Sequence, residues 1–121
     1  MARIVVVDDE PALLRLMQTF LSRQGHEVVC CGTGGEGIAT VTATPAEFEL
    51  AVLDHWLPDM SGTDLLHQVL ASSNSIRVLV CSGSLLNLDG LGLEDLSRVG
   101  FLQKPYPPAK LVTAVDELLQ R

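Results

Sequence analysis

The sequence predicts an α/β fold, a doubly wound parallel sheet of five strands with helices on both faces. Two observations carry this. Short apolar runs of strand length (Ile4–Val7, Glu27–Cys31, Leu50–Leu53, Arg77–Cys81 and Gly100–Gln103) alternate with segments whose apolar residues recur at helical spacing. Such alternation implies parallel strands joined by right-handed crossovers. The first run is also continuously apolar and β-branched, as expected of a strand covered on both faces.

The elements follow in order. Asp8-Asp9-Glu10-Pro11 breaks the first strand, and Pro11 suits the first turn of a helix. Leu13, Leu14, Met17, Phe20 and Leu21 form its apolar face, and Gly25 fits its C-terminal stop. After the second strand, Gly32 to Gly37 loosens the chain, so only a weak helix over Ile38–Thr42 is expected, closed by Pro45. Leu50–Leu53 leads to a helix over Thr63–Ala71, with Leu65, Leu66, Val69 and Leu70 turned inward. Arg77–Cys81 runs into Ser82. From 83 to 92, Gly83, Gly90 and Gly92 punctuate a leucine-rich stretch. The fourth helix is therefore expected to be short or irregular, regular only over Leu93–Arg98. The fifth strand ends in Lys104-Pro105. Pro107 or Pro108 opens the last helix, with Leu111, Val112, Val115, Leu118 and Leu119 on its inner face.

Size and charge bound the function. The 121 residues suit a single domain, 1–121, with one closed core. A hydrophobic share of 47% against 19% charged residues marks a folded chain. No apolar run approaches transmembrane length, and no signal-peptide pattern precedes Asp8, so a cytoplasmic domain without membrane contact is expected. A net charge of −7 argues against direct nucleic-acid binding. Cys30, Cys31 and Cys81 are odd in number and lack C-x-x-C spacing, which reads as reduced core thiols.

Chemistry concentrates at the strand ends. Asp8 and Asp9, Asp54, Ser82 and Lys104 each follow an apolar strand, and in open α/β sheets ligands bind at the carboxyl ends of the strands. A carboxylate at the tip of a buried strand is expensive unless paired, and three together raise one another's pKa values. A hard divalent cation relieves that strain, and Mg²⁺ suits one or two carboxylates plus waters. Lys104, one of only two lysines, adds a positive charge, and Ser82 adds a donor. Together they make an electrostatic cradle for in-line phosphoryl transfer, with Asp54 as the nucleophile.

With these residues in place, the sequence resembles the receiver domain of the two-component response-regulator family. The likeness rests on Val7-Asp8-Asp9-Glu10, on Leu53-Asp54 with Leu57-Pro58-Asp59-Met60-Ser61-Gly62, on Ser82, and on Lys104-Pro105-Tyr106. It spans the whole chain. The resemblance implies a flavodoxin-like sheet in the order 2-1-3-4-5. It implies that Asp54 accepts a phosphoryl group from a histidine kinase or a histidine phosphotransfer protein, and that the domain promotes its own aspartyl phosphorylation and dephosphorylation without being an enzyme in the ordinary sense. Asp9, Asp54 and the Trp56 backbone carbonyl would bind Mg²⁺, with Asp8 acting mainly through water. Lys104 would pair with the phosphoryl group, ahead of a cis bond to Pro105. Ser82 stands where threonine is more usual, and Phe101 at the switch aromatic. Ser82 would be drawn to the phosphoryl group and Phe101 would turn into the space it leaves, altering an output surface that includes Leu85, Leu86, Leu88 and Leu91. A phosphorylation-dependent dimer is one form of output.

Three features depart from the pattern. Trp56, two residues after Asp54, is either an indole that restricts water at the site or a surface aromatic with no kinetic role. His55 looks like a neighbouring base, but adjacent strand residues point to opposite faces. The glycine-punctuated segment after Ser82 weakens the case for a rigid fourth-helix surface. The competing readings are a receiver-like interaction module that is never phosphorylated, and an aspartyl-phosphate hydrolase. The hydrolase wants a second acid where Trp56 stands. A flavin site lacks its glycine loop after the first strand. The chain reads either as a stand-alone regulator or as a receiver from a hybrid histidine kinase, and the segment Phe101–Tyr106 with its final helix resembles the C-terminal receiver of such a kinase.

Overall fold

The computed structural model describes residues 2–44, 47–83 and 97–121. Five parallel strands, β1 (Arg3–Val7), β2 (Glu27–Cys31), β3 (Leu50–Asp54), β4 (Arg77–Ser82) and β5 (Val99–Gln103), form one sheet in the order β2-β1-β3-β4-β5. The described helices are α1 (Pro11–Arg23), α2 (Gly34–Ala43), α3 (Gly62–Ser72) and α4 (Pro108–Leu119). No described helix is long and apolar enough to cross a membrane.

Side chains alternate across a strand, and here both sets are apolar. Val5, Val7, Ala51, Leu53, Val78 and Val80 pack on one face against Val41 of α2 and Leu65, Leu66 and Val69 of α3. Ile4, Val6, Leu50, Val52 and Leu79 pack on the other against Met17 and Leu21 of α1 and Leu111, Val115 and Leu118 of α4. This two-sided burial explains why the strands read as continuous apolar runs. Gly25, with φ of 89°, makes the left-handed turn after α1, as its position suggested.

The second helix is longer than its composition suggested. It starts at Gly34, not Ile38. The Thr33 hydroxyl accepts the Glu36 N–H at 3.1 Å, and the Glu36 carboxylate accepts the Gly32 N–H at 3.3 Å. This is a capping-box arrangement, and caps of this kind offset the poor propensity of glycine. The glycines are there for contact. A Cβ on Gly37 would come within 2.7 Å of Val7, and one on Gly34 within 2.5 Å of Met60. The remaining boundaries agree to within a residue or two, and the Lys104–Pro105 bond is cis as expected. The irregular fourth helix, and with it Leu85, Leu86, Leu88 and Leu91, lies outside the described residues. Of the expected Leu93–Arg98 helix, Ser97 and Arg98 are described and form a turn leading into β5.

The loop from β3 to α3 is pinned where it closes. Gly62 N–H donates to the His55 carbonyl at 2.7 Å, and Trp56 pairs with Ser61 in an antiparallel bridge. A Cβ at Gly62 would sit 2.5 Å from His55 Cα, a backbone contact that no rotamer change relieves. Gly62→Ala is therefore expected to destabilise the fold by about 1–3 kcal/mol, read as a drop in Tm of at least about 4 °C. Gly32→Ala, whose added methyl meets nothing within 4 Å, should leave Tm unchanged in the same melt.

Candidate functional site

The strand tips deliver the site. In even-numbered register, Ile4, Val6 and Asp8 point to one side of the sheet, as do Leu50, Val52 and Asp54, so both aspartates emerge above the α1–α4 face. Each strand extends its ladder by one further bond. Asp8 N–H donates to the Cys31 carbonyl at 3.1 Å, His55 N–H to the Cys81 carbonyl at 2.9 Å, and Lys104 N–H to the Ser82 carbonyl at 2.7 Å. These bonds fix the backbone from which the functional side chains depart.

Asp8, Asp9 and Asp54 each present a carboxylate oxygen to a common space, the three lying within 4.8 Å of one another. Asp8 is 1% exposed and Asp54 7%, whereas Asp9 is open to solvent. Lys104 Nζ stands 3.3 Å from Asp8 Oδ2 and 3.3 Å from Asp54 Oδ1. At an effective dielectric of about 20, two carboxylates at the outer limit of that spacing repel by roughly 3 kcal/mol, while each lysine contact attracts by roughly 5 kcal/mol before desolvation. Lys104 thus holds the buried pair together. Burial pushes the Asp8 carboxyl above its usual range, against the pull of the Glu10 N–H and of Lys104. Burial alone would lower the Lys104 ammonium, but Asp8 and Asp54 together leave it raised.

The donor set fits a hard divalent cation. All three side-chain donors are carboxylate oxygens. With the three ionised, one lysine leaves two negative charges uncompensated, the charge that such an ion carries. Backbone geometry adds to the enclosure. Asp8 Oδ1 accepts the Glu10 N–H at 2.9 Å, and Asp54 Oδ1 accepts the Trp56 N–H at 3.4 Å.

The remaining expected residues sort cleanly. Ser82 is fully buried at the end of β4, one residue beyond the Asp54–Cys81 register pair. Phe101 is half-buried and packs toward the α2–α3 side, opposite Val80 in register. Trp56 is 67% exposed, with its ring edge-on to His55 at 4.8 Å. His55 follows the last residue of β3, and its ring contact is with Trp56. Cys31 and Cys81 are buried and Cys30 half-buried, all three unpaired, and burial pushes the Cys81 thiol up to about 12. A cavity of about 210 Å³ lined by Asn74, Ser75, Arg77, Ser97, Arg98 and Arg121 opens at the other end of β4 and β5 and shares no residue with the carboxylate cluster.

One participant was not singled out from the sequence. Asp59, in the β3–α3 loop, accepts the N–H groups of Gly34 and Gly35 at 3.0 and 2.9 Å. No local pattern announces a partner 24 or 25 residues away. The capping signature Thr33-x-x-Glu36 was the one available hint that a helix N-terminus lay there.

Comparisons with known proteins agree with this geometry. The family model of the response regulator receiver domain matches residues 4–116. The chain is 30% identical over 118 residues to the probable transcriptional regulatory protein TcrX of Mycobacterium tuberculosis, covering 98% of this chain and 50% of that protein. It is 24% identical to the response regulator SaeR of Staphylococcus aureus, covering all of this chain and 52% of that one. The chain thus spans about half the length of these curated relatives. Among solved structures, a response regulator receiver domain protein from Clostridium thermocellum superposes with a TM-score of 0.86 at 25% identity, covering 100% of this chain and 96% of that one. The receiver domain of the hybrid histidine kinase CckA gives 0.83 at 25% identity, with 98% of each chain covered.

The fold and the strand-tip carboxylates define a receiver domain of two-component systems. The chain belongs to the response regulator receiver domain family.

The Asp59 contact has a pH signature. The Gly34 and Gly35 N–H groups hold its carboxyl below the usual carboxylate value of 3.8. A depressed folded pKa contributes stability that is present above the unfolded value and lost as pH falls through the folded one. Asp59→Asn should therefore lower Tm at pH 7, with the gap to the parent protein closing as pH falls below about 3.8.

Proposed function

We propose that the domain is the phosphoacceptor of a two-component relay and that Asp54 is the residue phosphorylated. The observation that carries this is the single ammonium of Lys104 placed 3.3 Å from both Asp54 and Asp8, beside a third carboxylate. Asp9, Asp54 and the Trp56 backbone carbonyl would hold Mg²⁺, with Asp8 acting through water. When bound, the ion supplies the positive charge that lets an anionic phosphoryl group approach an anionic carboxylate.

The chain's own residues do the rest. An Asp54 carboxylate oxygen attacks the phosphorus of a phosphohistidine on a histidine kinase or phosphotransfer protein. The new P–O bond forms as the P–N bond breaks, and the electron pair of that bond leaves with the imidazole. Lys104 moves from its carboxylate partners to the phosphoryl oxygens, stabilising charge where it develops. The Ser82 hydroxyl, on the adjacent strand end, donates to another oxygen. The Trp56 indole, two residues after Asp54 and exposed beside His55, would slow the entry of the water that hydrolyses the acyl phosphate. The modification turns one negative charge into about two and adds acceptor oxygens. Drawing Ser82 toward them frees space for Phe101 to turn and alters the surface around β5 and α4. The domain works in the cytoplasm without touching membrane or nucleic acid. The likeness to the CckA receiver supports a place within a hybrid kinase, as the TcrX and SaeR matches support one as part of a longer regulator.

Acetyl phosphate with Mg²⁺ should add one phosphate per chain, measured by intact mass. Asp54→Ala and chelation by EDTA should each abolish it, and Lys104→Ala should slow it by about a hundredfold. Absence of uptake, or uptake surviving Asp54→Ala, would overturn the reading in favour of an interaction module that is never phosphorylated.

A further inference from the structure

Among the contacts around the site, one pair of hydrogen bonds has no part in the chemistry just described. Asp59 lies five residues after Asp54 and three after Trp56, on the loop that leaves the phosphoacceptor. Its two oxygens take separate N–H groups at the start of α2, Gly34 at 3.0 Å and Gly35 at 2.9 Å. The loop has only a few other restraints. Its ends are tied by the Gly62–His55 bond and the Trp56–Ser61 bridge, and Met60 sits against Gly34 so closely that no Cβ fits between them.

We infer that Asp59 is a positioning residue for the metal site: by binding the N-terminus of α2 it fixes the loop whose Trp56 N–H donates to Asp54 and whose Trp56 carbonyl is the proposed fourth donor. The inference rests on the proposed Mg²⁺-dependent site. The chemistry is that of a carboxylate at a helix N-terminus, where two N–H groups without intrahelical partners and the helix dipole both favour negative charge. α2 already has its own cap, because Thr33 takes the Glu36 N–H. Thr33 serves the third N–H of α2 and Asp59 the first two, so the Asp59 bonds complete the helix start and at the same time tie the loop to it. Met60 against Gly34 sets how near the loop approaches, and the Asp59 carboxylate sets its register along α2. Outer partners that orient metal ligands change affinity by about tenfold or more when removed.

The test separates loop positioning from helix stability. Mg²⁺ affinity is read from the fluorescence of Trp56, the one tryptophan of the chain, and hydrogen exchange is followed at the Gly34 and Gly35 amides. Asp59→Ala should weaken Mg²⁺ binding by about tenfold and speed exchange at both amides. Asp59→Asn, which keeps one acceptor, should fall between it and the parent protein, and it carries the test if Asp59→Ala does not fold. Thr33→Ala removes the cap of α2 without touching the loop and should leave Mg²⁺ affinity within twofold. Unchanged affinity in both Asp59 variants, or an equal loss in Thr33→Ala, would overturn the inference. A parent protein that binds no Mg²⁺ would instead overturn the proposed site itself.

Discussion

The structure depends on keeping buried like charges at the ends of parallel strands. Asp8 and Asp54 are carried to one edge by the same register that buries Val6 and Val52 below them, so neither can retreat to solvent without breaking the sheet. Their repulsion is met by one lysine, itself placed by a ladder bond from its N–H to the Ser82 carbonyl. Burial still pushes the Asp8 carboxyl up against the pull of the backbone bond and the lysine, and with all three carboxylates ionised a single lysine leaves the cluster net negative. A site left short of positive charge suits a cation, and under the proposed function the contacts that hold it together at rest are those it would exchange in use.

Around this edge the chain is built for close approach. Gly37 lies against Val7, Gly34 against Met60 and Gly62 against the His55 backbone. Each glycine brings a helix start near the strand tip or loop that carries a functional group. The low helix propensity of Gly34, Gly35 and Gly37 is offset by caps from Thr33 and Asp59. Rigidity near Asp54 is thus assembled from contacts between α2 and the β3–α3 loop, not from the intrinsic stability of either.

The legible part of the sequence was the part governed by short-range rules. Continuous apolar runs at Ile4–Val7 and Leu50–Leu53 announce two-faced strands, and the residues that end the strands announce the site, because strand polarity puts all their C-terminal tips together. Strand parity alone sets His55 apart from Asp54. The start of α2 was missed because propensity counts glycine against a helix, while the contact that requires glycine, with Val7 or Met60, depends on residues about 25 to 30 positions away. Asp59 was quoted within a motif but given no role of its own, since its partners exist only once α2 packs beside the loop. Strand order came from family resemblance, as nothing local in the runs distinguishes 2-1-3-4-5 from another parallel order.

The register also constrains how the state of Asp54 can be read elsewhere. Val80 faces Phe101 and Ser82 faces Gln103, so Ser82 and Phe101 belong to the same side of the sheet, one diagonal step apart. Asp54 and Lys104 belong to the other side by the same parity. In the proposed switch, a phosphoryl group on Asp54 would therefore pull on two sides of the sheet at once: on Lys104 on the α1–α4 side, releasing Asp8, and on Ser82 on the side where Phe101 packs against the α2–α3 core. The Ser82 movement would change the space beside Phe101, and a ring in a close-packed core has few alternative positions. In the proposed switch, chemistry is thus reported by the hydroxyl and the ring, while the lysine, tied by the ladder bond to Ser82, keeps the two responses in step.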